Sequence, residues 1–277
     1  MDFLSGIRYG GPMSGRGREE PTGVIAKAAA LLDQLAEEGE STAARLGEAL
    51  GEPRTTVYRL IRSLADVGFV ERGSQRGTYR LGLRLFRLGG AVVARFDERQ
   101  AALPHMEHLN DVTGETVVLC VRRGLQAVCI ERIEGSHVVS LALRLGGALP
   151  LHAGAAPRVL LAAEPRAEWD RYCESAGELE SFTPATPSTR EHLHEELEAA
   201  RRRGYSVSDG DVTVGIAALG APIRNVRGTV TAALSISGVR ETILGDRAEE
   251  MVALVTSAAD AVSIALGFDP RMAVACD

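Results

Sequence analysis

At 277 residues, with 45% hydrophobic and 25% charged composition, the chain is long enough for two globular domains, each able to bury a core of its own. No run of about 18 apolar residues occurs, and the first twenty residues are rich in glycine and charge where a signal peptide needs an apolar centre, which argues against a membrane-spanning helix and predicts a soluble cytoplasmic protein. Four cysteines, Cys120, Cys129, Cys173 and Cys276, show no short paired spacing, which argues against a zinc module or a disulfide framework and for packed, reduced thiols.

The net charge of −6 is unevenly divided: residues 1–90 hold 13 Arg and Lys against 11 Asp and Glu, a balance of +2, leaving 18 against 26, or −8, for the remainder. Between residues 53 and 87 eight arginines (Arg54, Arg59, Arg62, Arg72, Arg76, Arg80, Arg84, Arg87) face only Asp66 and Glu71. A basic patch on an acidic chain still suits phosphates, because their neutralisation is short-range.

In chain order, residues 1–21 have no periodicity and read as a flexible arm. Thr22 caps a helix whose Ile25, Ala28, Leu32 and Leu35 share a stripe and which ends at Gly39. Ser41 or Thr42 caps a second helix that turns Ala43, Leu46, Ala49 and Leu50 inward and stops at Gly51. Pro53 opens a third, within 52–70, with Val57, Leu60, Ile61, Leu64 and Val67 on one face. Its other face carries Arg54, Thr55, Thr56, Tyr58, Arg59 and Arg62, donors suited to phosphates and base edges. Two short helices joined around a glycine, the second with the polar face, form a helix-turn-helix. Strands over 69–72 and 78–81, around a glycine-bounded turn, add a wing that carries Arg72, Arg76 and Arg80.

The strings Pro53-Arg54-Thr55-Thr56-Val57-Tyr58-Arg59-Leu60, Leu64-Ala65-Asp66-Val67-Gly68-Phe69-Val70 and Tyr79-Arg80-Leu81-Gly82 resemble the DNA-binding domain of the IclR family of bacterial transcriptional regulators. Leu83 to about Arg95, apolar on several sides, reads as a linker helix packed between domains or against a partner subunit. A helix from near Gln100 and strands over 116–122, 127–132 and 138–143 follow. After the loop 146–154 come helices over 155–163, near 168–173 and over 188–203, strands over 205–208, 216–223 and 229–237, and a long helix from Leu244 to Leu266. An antiparallel sheet with helices on its faces is a two-layer α+β domain. The predicted organisation is thus α+β: an arm (1–21), a winged helix-turn-helix (22–82), a linker helix (83–99) and a ligand-binding and oligomerisation domain (100–277).

The second half resembles the same family, whose GAF-like or profilin-like domain binds a small effector. The matching strings are Leu149-Pro150-Leu151-His152-Ala153-Gly154-Ala155-Ala156, Gly215 to Ile223, and Ala233 to Gly238. Ser235 and Ser237, at i and i+2 of a strand, present both hydroxyls to one face, where they either pair with neighbouring backbone or, as the resemblance favours, make with Ala155, Ala156 and Ala218 a small pocket for a carboxylate or carbonyl. By the resemblance Leu141 and Leu149 are apolar walls, and Ser208, Asp209 and Asp211 form the lip. Two departures stand out: Pro157-Arg158 where the family usually has Gly-Lys, and Asp211 where a glutamate is common.

No cofactor, metal or enzymatic activity is expected. His105 and His108, three apart, have no further ligand at metal spacing, and His192 and His194 point to different sides of their helix. His152 adjoins no nucleophile elbow, and Gly146-Gly147 precedes no phosphate-loop lysine. The resemblance implies a homodimer or homotetramer on double-stranded operator DNA, controlled by a small organic acid or related metabolite. Repression of a neighbouring catabolic operon is the commoner family mode, with activation the alternative, and an enzyme or metabolite-binding protein that uses its winged helix for assembly is the rival class.

Overall fold

A computed structural model describes residues 23–93, 97–136 and 143–269, with backbone alone at 90–93. The expected arm, the cap at Thr22 and most of the strand expected over 138–143 lie outside these residues. The chain divides into two compact units at Arg95/Phe96.

In the first unit, α1 (Val24–Glu38) buries Leu31 and Leu35, whereas Ile25, expected on the inner stripe, is exposed because the first turn runs past the core. A three-residue strand, β1 (Glu40–Thr42), follows; it is too short to show a period in the sequence. Thr42 then caps α2 (Ala43–Leu50), its side chain accepting from the Arg45 N–H at 3.3 Å. Gly47 rather than Ala49 takes the inner position of α2. Pro53 precedes α3 (Arg54–Asp66), whose Val57, Leu60, Ile61 and Leu64 join Leu31, Leu35, Leu46, Val70 and Tyr79 in one core. The helix stops at Asp66, so Val67 leaves the predicted stripe and is exposed.

The wing strands β2 (Val70–Arg72) and β3 (Thr78–Leu81) pair antiparallel, and β1 adds to the other side of β3. The helix α4 (Leu83–Val93) closes the unit with Leu83 and Phe86 exposed.

The second unit opens with α5 (Asp97–Thr113), followed by β4 (Thr116–Arg123), β5 (Gln126–Ile133) and a short β6 (Ala148–Pro150) within the expected loop. Then come α6 (Ala155–Ala162), α7 (Arg166–Ala176), α8 (Arg190–Arg203), β7 (Ser206–Asp209), β8 (Ile216–Arg224) and β9 (Val230–Val239). The expected terminal helix is α10 (Ala248–Ala265), and a short unexpected helix, α9 (Arg240–Leu244), precedes it.

The strands form one antiparallel sheet in the order β6-β5-β4-β9-β8-β7. Val117, Leu119, Leu234 and Ile236 pack against Met106 of α5 and Met251 and Val255 of α10. Their alternates Val118, Cys120 and Ala233 pack against Val159 and Leu160 of α6, Trp169 and Tyr172 of α7 and Leu197 of α8. Helices therefore cover both faces, and the expected two layers are three. Burial on both faces is why β4 reads as an unbroken apolar run. Among the described residues no helix is long and apolar enough to cross a membrane.

Candidate nucleic-acid interface and ligand pocket

The amphipathic spacing of α3 that buries Val57, Leu60, Ile61 and Leu64 turns Arg54, Thr55, Tyr58, Arg59 and Arg62 outward, with Thr56 half-buried. A short basic helix with hydroxyl and aromatic side chains at its start offers donors for base edges and phosphates. Arg76 projects from the wing turn. The two strand arginines differ from it. Arg72 lies over the Tyr79 ring, 4.9 Å from its centroid, and donates to the Tyr79 hydroxyl at 3.0 Å. Arg80 donates to Glu71 at 2.9 Å and stands 4.0 Å from Glu40, so acidic neighbours offset its charge.

The wing turn is anchored from β1. Glu40 accepts from the Ser74 N–H at 2.9 Å and the Ser74 hydroxyl at 3.1 Å. The Ser74 amide, first among its partners, holds the Glu40 carboxyl below its ordinary range. Gly73 permits this contact: a Cβ there would lie 2.3 Å from Thr78 Oγ1 and 2.6 Å from Glu40 Oε2.

In the second unit a cavity of about 50 Å³ opens between the sheet and the start of α6. The antiparallel register builds its floor. Arg132, Val118 and Ser235 form one cross-strand row over β5, β4 and β9. Ser237, Ala218 and Ser208 form another over β9, β8 and β7. The two-residue period of β9 sets Ser235 and Ser237 on the same side. Leu143, Leu149, Gly154 to Pro157, Val212, Thr213, Ile216 and Ala217 complete the lining.

Gly220 lets α6 settle on the strands: a Cβ there would lie 2.7 Å from the Ala155 carbonyl carbon and 2.9 Å from the Ala156 nitrogen. The Ser206 hydroxyl donates to the Ala155 carbonyl at 2.5 Å. The first turn of α6 therefore borders the cavity, where the Ala155 and Ala156 N–H groups have no acceptor within their helix and Pro157 has no N–H at all. The Ser235 hydroxyl makes a marginal 3.5 Å contact to the Ile236 carbonyl, a weak bond readily exchanged. Arg132 supplies a cation at the opposite wall and donates to the Leu143 carbonyl at 2.5 Å.

Of the expected pocket residues, Leu149, Ala155, Ala156, Ser208, Ala218, Ser235 and Ser237 converge here, and Leu141 lies outside the described residues. Asp209 does not: it is exposed and paired with Arg240 at 2.6 and 2.9 Å. Asp211 does not line the cavity either. It is buried, paired with Arg158, and accepts from the Gly154 N–H at 3.1 Å and from the Ser208 hydroxyl. The lip is tied further by the Thr183 hydroxyl on the Gly210 carbonyl at 2.8 Å and the Thr186 hydroxyl on the Asp211 carbonyl at 2.5 Å. Arg132 and Val118 carry no motif. Only the register from Ser235 across β4 to β5 points to them.

His152, beside this loop, is buried. Its Nδ1 lies 2.7 Å from the Tyr172 hydroxyl and its Nε2 2.8 Å from the Glu180 carbonyl. A carbonyl only accepts, so Nε2 carries the proton and Nδ1 accepts from Tyr172. Burial holds the imidazole below its ordinary 6.5. Such a fully occupied histidine fastens a loop and has no acceptor left for general-base work. Among the described residues no three His, Cys, Asp or Glu side chains gather as a metal site.

Residues 24–74 match the model of the IclR helix-turn-helix domain, and residues 90–264 that of the bacterial transcriptional regulator IclR C-terminal domain. The chain is 35% identical over 244 residues to the HTH-type transcriptional regulator KipR of Bacillus subtilis (strain 168), covering 88% of this chain and 97% of that protein. It is 34% identical over 263 residues to the HTH-type transcriptional repressor AllR of Salmonella paratyphi A, covering 93% and 96%. An IclR homologue of Microbacterium hydrocarbonoxydans, solved in complex with 4-hydroxybenzoate, is similar at a TM-score of 0.76 and 29% identity, covering 88% of this chain and 99% of that one.

Proposed function

This chain belongs to the IclR family of bacterial transcriptional regulators and is a ligand-responsive DNA-binding regulator; we propose that it is a cytoplasmic repressor whose effector is a small organic acid held in the cavity beneath α6. The observation that carries the effector reading is the meeting of Ser235 and Ser237 with the first turn of α6 in one small cavity. Hydroxyls and unpaired helix N–H groups favour a carboxylate, and the nearby carboxylates of Asp209 and Asp211 are already paired with arginines. The 4-hydroxybenzoate bound by the Microbacterium relative, an aromatic acid, supports the same class.

At the other unit, Arg54, Thr55, Thr56, Tyr58 and Arg59 read the major groove, Arg62 contacts the backbone, and Arg76 leads the wing, with Arg72 and Arg80 in supporting places. A homodimer or homotetramer sets two such helices on operator half-sites roughly 34 Å apart. The exposed Leu83 and Phe86 of α4 support a subunit contact there, and the same helix carries the effector's influence to the DNA-binding unit. Coupling of this kind is commonly about 1–3 kcal/mol, a several-fold to hundredfold change in operator affinity. The relative named as a repressor supports repression.

Calorimetry of the full chain against a panel of small mono- and dicarboxylates tests the pocket. Binding of at least one acid by the wild type and its loss in Ser235→Ala/Ser237→Ala are expected. Undiminished affinity in the double variant contradicts the assignment.

A further inference from the structure

The sequence spacing predicts separately packed cysteines, yet the sheet brings two together. Cys120 of β4 and Cys129 of β5 are direct partners across the antiparallel ladder, both buried on the α6 side. A bulge produces the match: the register shifts after Leu119, so that Ile130 is skipped and Cys129 faces Cys120. Ile130 packs on the opposite face of the sheet.

The backbone fixes what kind of pair this is. The Cys129 N–H donates to the Gly147 carbonyl at 2.9 Å, and the Cys129 carbonyl accepts from the Gly146 N–H at 2.8 Å. Both groups point away from β4, so Cys120 and Cys129 form a non-hydrogen-bonded pair, the kind with Cα atoms about 4.5 Å apart and side chains closest. A disulfide spans Cα separations of roughly 4.4–6.8 Å, a range that includes the separation typical of such a pair. The Cys129 thiol donates to the Glu131 carbonyl at 3.2 Å. The neighbouring Cys120 thiol, and after it the charge of Arg132, holds the Cys129 thiol below its ordinary range, while the Cys129 thiol and burial push Cys120 up.

We propose that Cys120 and Cys129 are an oxidation site that closes to a cross-strand disulfide when the protein meets a hydroperoxide. The Cys129 thiolate sulfur attacks a peroxide oxygen; the O–O bond breaks, the departing oxygen leaves as water after taking up a proton, and a sulfenic acid remains. The Cys120 sulfur then attacks the Cys129 sulfur and expels a second water. Two thiols lose two hydrogens while one hydrogen peroxide is reduced to two waters. Burial restricts the oxidant to one of near-water size. The ligand cavity reaches the neighbouring pair on the same face, Val118 and Arg132. Cys173 of α7, whose thiol burial pushes up, is the internal reference.

The reduced full-length protein is exposed to hydrogen peroxide, quenched, unfolded, alkylated and mapped by peptide mass. Expected is a linked pair of peptides carrying Cys120 and Cys129, lighter by about 2 Da than the two thiol peptides together, with Cys173 still alkylated. Cys120→Ala, checked for folding by circular dichroism, abolishes the link and leaves Cys129 as an oxygenated sulfur acid. The proposal is overturned if both thiols stay alkylatable under an exposure that fully oxidises added glutathione, or if Cys129 links to Cys173 or Cys276 instead. The wild-type map alone decides this should the variant not fold.

Discussion

Arg158 and Asp211, 53 residues apart in sequence, meet as a buried ion pair behind the lip of the ligand cavity. Both belong to the departures expected from the sequence resemblance, and the structure joins them in a single feature, a guanidinium facing a short carboxylate. Losing one partner strands a buried charge, so Arg158→Ala or Asp211→Ala alone costs roughly 3–5 kcal/mol of stability. The double variant costs less than the sum, which urea unfolding measures. Strict additivity of the two losses would show that the charges do not depend on each other.

His152 gives the stability a pH dependence of definite sign. Its folded-state pKa lies below the ordinary 6.5, chiefly through burial, so the unfolded chain binds the proton more readily. The stabilisation is present above 6.5 and is lost as pH falls below it. Thermal unfolding between pH 7.5 and 5 should show a falling midpoint, and His152→Gln should flatten that slope. An equal slope in the variant would assign the effect to other groups.

Gly220 is a position beside the cavity where a single methyl group should be poorly tolerated. Gly220→Ala would drive its Cβ against the backbone of Ala155 and Ala156 and lift the start of α6 off the sheet. Overpacking of this kind typically costs about 1–3 kcal/mol, and the carboxylate affinity falls with it. A variant as stable as the wild type, with unchanged affinity, would mean that α6 does not depend on this close approach.

The arginines of the first unit should separate into two classes. Arg76, exposed at the wing tip, contacts phosphate in this account, so Arg76→Ala lowers the slope of log affinity against log salt by about 1. Arg80 is already offset by Glu71, and Arg80→Ala should move the slope less. Equal effects in anisotropy titrations over a salt series would remove the distinction.

What could be read from the sequence follows the length of the signal that each residue belongs to. The helices α1, α2, α3 and α8 carry caps or glycine stops together with apolar spacing, and their bounds follow closely from those marks. Ser235 and Ser237 needed only the two-residue period of one strand. Arg132 and Val118 instead enter the cavity through pairing between strands, which the spacing along one strand does not encode. The same limit hid β1 and the Cys120 and Cys129 pair, the latter behind a one-residue bulge. Asp211 lies buried behind the lip because its partner Arg158 stands on another element, which spacing along the chain does not encode.

The most direct test of the account is a fluorescence-anisotropy titration of the full-length protein on duplex DNA from the region upstream of its own gene, with and without the acid found by calorimetry. Tight, salt-dependent binding is expected that weakens several-fold to hundredfold when the acid is added, with Arg59→Ala losing roughly 1–3 kcal/mol of operator affinity while it still binds the acid. Binding no tighter than to a random duplex, or operator affinity unmoved by both the acid and Arg59→Ala, would contradict it.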